Sequence, residues 1–210
     1  MRHLIKSLLL MILFFVYSCS SKEEVNYKDI NNYFGVEFTS HFPKEATFPY
    51  TLTFSGDVIY HHPSVWLKTS VENKELDSLR TYLSHVSKAI YSSEDSCLLV
   101  IDQQSKTDNW IEFDKRNFRS RRTQNRSEEC GFELLPVPNF FLEDWQESKY
   151  SLTGIVGYIF YVIEAERGEF NNRITLTNSA FAPEGWDHGM SKGVAINMEK
   201  KKVIFWVDAW

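Results

Sequence analysis

The stretch Glu72–Ile101, ENKELDSLRTYLSHVSKAIYSSEDSCLLVI, decides the fold class. Leu76, Leu79, Leu83, Val86 and Ile90 recur at alternating steps of three and four, which puts all five on one face of a helix. Lys74, Asp77, Arg80, Ser84 and Lys88 fall elsewhere and meet water. The spacing predicts a helix from about Glu72 to Tyr91, stopped by Ser92 and Ser93. Cys97-Leu98-Leu99-Val100-Ile101 follows with no polar relief, as a buried strand does. A one-faced helix running into a strand with no wet side predicts a helix lying over a sheet.

Strand signals surround this stretch. Phe48 to Tyr60 alternates apolar and polar residues about Ser55-Gly56-Asp57, a hairpin-turn signal. Trp110 to Phe113 reads as a short strand, and Tyr158 to Glu164 as a long one rich in aromatic and β-branched residues. Arg173 to Thr177 alternates clearly. The chain closes on a hairpin pattern: Val194 to Ile196, a turn over Glu199 to Lys202, then Val203 to Val207. Strands outnumber helices and their connections are short. The expectation is an α+β fold: a single domain, its largely antiparallel sheet covered by one main amphipathic helix. Trp210 would suit the end of an outer-membrane barrel, but Asp208 breaks the apolar alternation and a helix intervenes.

The first nineteen residues carry an address. Arg2, His3 and Lys6 form a basic head before the unbroken apolar run Leu8 to Val16 (LLLMILFFV), and the small residue Ser18 precedes Cys19. A membrane-spanning helix needs roughly 20 apolar residues, so this pattern is that of a secretory signal. Val16-Tyr17-Ser18-Cys19 resembles a lipobox, where a bacterial signal peptidase cuts before the cysteine and lipid is attached to it. Ser20-Ser21-Lys22-Glu23-Glu24 resembles the export signal of surface lipoproteins of the Bacteroidetes type. That resemblance implies lipid on Cys19 and a body anchored to the bacterial outer membrane, facing the cell exterior. The boundaries that follow are a signal peptide over 1–18, the lipidated cysteine and a polar tether over 19–32, and a single globular α+β domain over 33–210. The alternatives are an ordinary secreted protein cut near Ser18, and an anchored protein that faces the periplasm.

Removing residues 1–18 takes away Arg2 and Lys6 and no acid, so the formal charge moves from −5 to −7. That balance argues against a polyanion binder and for a protein with no nucleic-acid partner. Two cysteines remain beyond Cys19. In an oxidising compartment Cys97 and Cys130 are a possible disulfide, and the alternative is that Cys97 is a small buried hydrophobe.

The loop Pro183-Glu184-Gly185-Trp186-Asp187-His188-Gly189-Met190-Ser191-Lys192-Gly193 carries the most chemistry. Asp187 beside His188 suggests an oriented base and Ser191 a nucleophile, which frames a hydrolytic enzyme using the Trp186–Ser191 loop. Adjacency in sequence does not supply a triad's geometry, and three glycines in nine residues equally describe a tight turn. The other reading is therefore a binding or structural loop. Trp186, as the tryptophan of a glycine-rich loop, and His188 are the residues expected to meet a ligand there. Lys115, Arg116, Arg119, Arg121, Arg122 and Arg126 form a basic cluster that reads either as a solvated loop or as a patch for anionic glycans. Arg119, Arg121 and Arg122 are its candidate contacts. His61 and His62 point to opposite faces of an extended segment and chelate poorly; no Cys or His pair has zinc spacing. No metal and no cofactor is expected. The expected partners are the membrane, through the N-terminal lipid, and a glycan or another envelope protein. Trp186, His188-Gly189, Ser191-Lys192-Gly193 and the hairpin ending in Trp206 and Trp210 resemble uncharacterised lipoproteins of the same bacterial type. So does Tyr161 to Glu166, and the resemblance implies no activity.

Overall fold

The computed structural model describes residues 21–55, 63–95, 97–101, 134–140, 153–169 and 185–210. Among them the chain forms strand β1 (Lys22–Glu24), helix α1 (Lys28–Phe34), strands β2 (Glu45–Ser55) and β3 (Ser64–Ser70), and helix α2 (Asn73–Val86). Strands β4 (Ala89–Ser92), β5 (Leu99–Ile101), β6 (Pro136–Pro138), β7 (Ile159–Arg167), β8 (Gly189–Asn197) and β9 (Lys202–Ala209) follow. Seven strands make one antiparallel sheet in the order β1-β2-β3-β9-β8-β7-β4, and β5 and β6 pair in parallel as a separate ribbon. The fold is α+β, with a large antiparallel sheet and few helices.

The sheet has two buried faces because its central strands alternate two kinds of apolar residue. Val194, Ile196, Val203, Phe205 and Val207 point to one face and pack with Leu76 and Leu83 of α2, Ile30 and Phe34 of α1, and Phe38 and Phe42. Ala195, Ile204 and Trp206 point to the other and pack with Val100 of β5, Val137 of β6, Phe140 and Phe160. The sheet thus lies between a helical layer and a small β-layer. The expected C-terminal hairpin exists: β8 and β9 pair from Met190↔Ala209 to Asn197↔Lys202, with the turn at Met198–Lys201. β2 pairs with β3 in antiparallel register, closing at Ser55↔Ser64. Gly56, Asp57, the strand expected at 110–113 and that at 173–177 lie outside the described residues.

Three expectations are corrected. First, α2 stops at Val86, and Ala89–Ser92 is a strand on β7. Ser87 is already extended at φ −76° and ψ 136°, and Lys88 N–H bonds Val162 O at 2.8 Å. Ile90 satisfies the helical spacing by coincidence, for it is 48% exposed on the edge strand, while Tyr91 is buried among the residues of the β-layer. A ladder partner in β7 outweighs the weak helical preference of Ala-Ile-Tyr. Second, the run Cys97–Ile101 does not enter the main sheet. It supplies the short β5, on the face opposite α2.

Third, the described part of the expected 19–32 tether, residues 21–32, is folded against the body. Lys22–Glu24 pairs with β2, Lys22 makes an ion pair with Glu75 of α2, and Val25, Ile30 and Phe34 are buried. A polar stretch with an apolar residue every four or five positions was enough to bury one face of a two-turn helix. The folded body begins by Ser21.

Candidate functional site

The chemistry-bearing loop lies at one end of β8, and each of its polar groups has a place in the packing. Gly185 holds a φ of +84°, which only glycine adopts without strain. It turns the chain so that Trp186 enters the core at 4% exposure. There the Trp186 ring lies 6.0 Å from that of Trp210, and its backbone carbonyl accepts the Trp210 indole N–H at 2.8 Å. The Arg167 guanidinium covers the ring, 5.0 Å from its centroid. Trp186 therefore does not present a face to a sugar, contrary to expectation. Trp66, Trp206 and Trp210 are buried as well.

Gly189 and Gly193 are not turn residues. Both lie in β8, and each clears the space that an indole fills. A Cβ on Gly193 would stand 2.2 Å from Tyr161 O and 2.5 Å from the ring of Trp206, its direct cross-strand partner. A Cβ on Gly189 would stand 2.8 Å from both Glu166 O and the Trp210 ring. Gly189 and Trp210 also exchange backbone hydrogen bonds at 3.0 Å, which pins the last residue of the chain to the sheet. The glycine spacing that looks like a turn signal is a pair of sockets.

Ser191 is 1% exposed, and its hydroxyl donates to Pro136 O at 2.6 Å, fastening the β-layer to the sheet. Its oxygen in turn faces the Trp206 indole N–H at 3.5 Å. A nucleophilic serine needs a base and an open side; Ser191 is closed off, and among the described residues no base is bonded to it. Half-buried His188 directs Nδ1 at Trp210 O, 3.3 Å away, and Asp187 is exposed with no hydrogen bond to it. The residues Asp187, His188 and Ser191 are neighbours in sequence but do not form a catalytic set. On the same face as Ser191, Asp208 accepts the Trp66 indole N–H at 2.8 Å.

The helical face of the same two strands carries a different polar group. Lys192, next to Ser191, pairs with Glu164 of β7, and the two side chains are 16% and 31% exposed. The bond from Lys192 holds the Glu164 carboxyl below its ordinary range. His41 lies beside them and donates Nε2–H to Trp206 O at 2.9 Å, while its Nδ1 is buried without a hydrogen-bond partner. Burial, with the Lys192 charge adding to it, lowers its pKa to about 4. His41 stays neutral at ordinary pH. This cluster had no signature in the sequence, because its three members come from segments far apart in the chain.

Cys97 is disulfide-bonded, and its partner lies outside the described residues, as do Cys130 and Cys19. Arg119, Arg121 and Arg122 lie outside them too, with the rest of the basic cluster, and so do His61 and His62. Among the described residues no three His, Cys, Asp or Glu side chains come together as metal ligands. No protein-family model matches the chain, and neither a curated protein nor a solved structure matches it.

Proposed function

We propose that the protein is a lipid-anchored lipoprotein of the bacterial outer membrane, exposed at the cell surface. Its α+β body is a binding or accessory module for a glycan or an envelope protein, and not a catalyst. The observation that carries the anchor is the Arg2–Cys19 pattern, with its basic head, short apolar run and Ser18-Cys19 junction. Each buried methylene of an acyl chain contributes about 0.8 kcal/mol, so the two or three chains typical of such lipoproteins hold the body firmly. No helix among the described residues is long and apolar enough to cross a membrane.

The module reading rests on the fate of the suggestive loop. Trp186, Ser191 and both strand glycines are engaged in packing, so a hydrolase built on this loop lacks an accessible nucleophile. Arg119, Arg121 and Arg122 then remain the proposed contacts for an anionic glycan. Metabolic labelling with a fatty-acid analogue tests the anchor: label should appear on the parent and vanish in Cys19→Ala, which should leave the membrane fraction. An unlabelled parent, or a Cys19→Ala form that still sediments with membranes, rejects it.

A further inference from the structure

The anchor reading places lipid on Cys19, two residues before Ser21, and Ser21 is tied to a defined place on the sheet. Its carbonyl accepts the N–H of Phe48 at 2.9 Å. Two residues of fully extended chain span at most about 7 Å. The Cys19 Cα therefore lies within that distance of Ser21, beside the outer margin of β2, and the body has little chain with which to stand off from its membrane.

The direction of the chain narrows the contact. In the β1–β2 pair Lys22 faces Thr47 and Glu24 faces Glu45, so moving back from Glu24 to Ser21 is moving forward along β2. The chain reaches Ser21 heading toward the Phe54 end. β1 covers β2 only over Glu45–Thr47, and the margin beyond carries Phe48 at 55% exposure and Phe54 at 40%. Val36, at 64%, follows two residues after Phe34, whose ring meets that of Phe54 edge-on at 5.4 Å. Large apolar side chains that keep this much exposure near one margin are what an interfacial contact uses. Glu24 and Glu45 face each other at the end of β1 farther from the anchor, Glu23 lies at its middle opposite Ala46, and the charge of Lys22 is met by Glu75.

We propose that the margin of β2 from Phe48 to Phe54 is a membrane seat, which rests edge-on in the headgroup region of the phospholipid leaflet that holds the Cys19 lipid. The proposal rests on lipidation of Cys19. It places the far edge of the sheet, β4 with Ile90, five strand spacings or roughly 24 Å away from the bilayer. A lipoprotein held this way presents β4, the outer face of α2 and the β-layer to the exterior in a fixed orientation.

The test uses the full mature chain, extracted from membranes and reconstituted in phosphatidylethanolamine–phosphatidylglycerol vesicles that carry a headgroup-level nitroxide lipid. An environment-sensitive fluorescent amino acid replaces Phe48 in one preparation and Ile90 in another, both exposed sites where folding tolerates a label. The intact mass of each preparation reports its acylation. In acylated protein, the label at 48 should shift to the blue and lose most of its emission to the nitroxide, and the label at 90 should do neither. Acylated protein in which both labels are quenched, or neither, overturns the seat and leaves the anchor standing. A blue shift at 48 without quenching points to a protein occupant and overturns it as well. A mass that shows no lipid overturns the anchor, and the seat with it.

Discussion

The two faces of the β8–β9 hairpin treat polar residues in opposite ways. On the face toward the β-layer, Ser191 and Asp208 are fully buried and each meets a defined donor or acceptor, Pro136 O in one case and the Trp66 indole in the other. On the face toward the helices, Lys192 and Glu164 keep partial contact with water, and half-buried His41 has its Nδ1 buried without a hydrogen-bond partner among the described residues. Adjacent residues in one strand thus enter a dry, sterically determined layer and a wetter, charge-bearing one. The first holds position by shape and buried hydrogen bonds, so it should fail on volume changes. The second should fail on changes of protonation.

The sharpest way to break this contrast is Gly193→Ala. The added methyl would meet the Tyr161 carbonyl at 2.2 Å, and backbone cannot swing aside as a flexible side chain can. Overpacking of this kind costs about 3 kcal/mol or more where the neighbours are rigid. Urea unfolding should show that loss, or the variant should fail to accumulate as folded protein. A variant within about 1 kcal/mol of the parent, the scale of an ordinary substitution, would mean that the indole layer yields and the dry face is not the rigid one.

The wetter face is probed by acid. His41 is held at about 4 against an ordinary 6.5, so the folded protein keeps it neutral while the unfolded chain takes up a proton below about 6.5. The stabilisation is complete above that value and is lost as pH falls toward 4. Between pH 7 and pH 5 the loss from this residue is about 2 kcal/mol, taken from the two pKa values. Denaturant unfolding at the two pH values should show it as a difference between the parent and His41→Gln, whose side chain does not titrate. Parallel pH dependence of the two proteins would remove His41 from the argument.

Period and alternation made part of this legible from residues alone. β7, β8 and β9 announce themselves through β-branched and aromatic residues, and the start of α2 through its leucine spacing. The end of α2 was not readable, because Ile90 fits a helical face and a strand equally and only the presence of β7 decides. β1 and α1 hid in a polar stretch whose Val25, Ile30 and Phe34 are too sparse to signal burial. β6, Pro-Val-Pro, reads as a breaker, since proline cannot donate to a ladder; as a three-residue ribbon paired, among the described residues, with β5 alone it escapes that constraint. Of the candidate site, the loop's position was readable and its role was not. Gly189 and Gly193 are turn glycines or indole sockets depending on what lies across the strand, and the register that sets Gly193 against Trp206 is a tertiary fact.

The smallest effect separates neighbours. Ser191→Ala removes the donor to Pro136 O and leaves the Trp206 indole facing a methyl group, both in buried positions. Leaving such groups unsatisfied costs about 1–3 kcal/mol. Lys192→Ala removes one half of a partly exposed ion pair, a change worth about 1 kcal/mol or less once solvent screening is counted. Ser191→Ala should therefore lower the urea midpoint more than Lys192→Ala, although lysine carries the charge and the larger side chain. The same pair of variants bears on the hydrolase alternative. A serine kept for catalysis can be replaced with little loss of stability, whereas a serine that fastens two layers cannot. If Ser191→Ala proves as stable as the parent, the hydroxyl is not the clamp described here, and the question of what it does for the protein reopens.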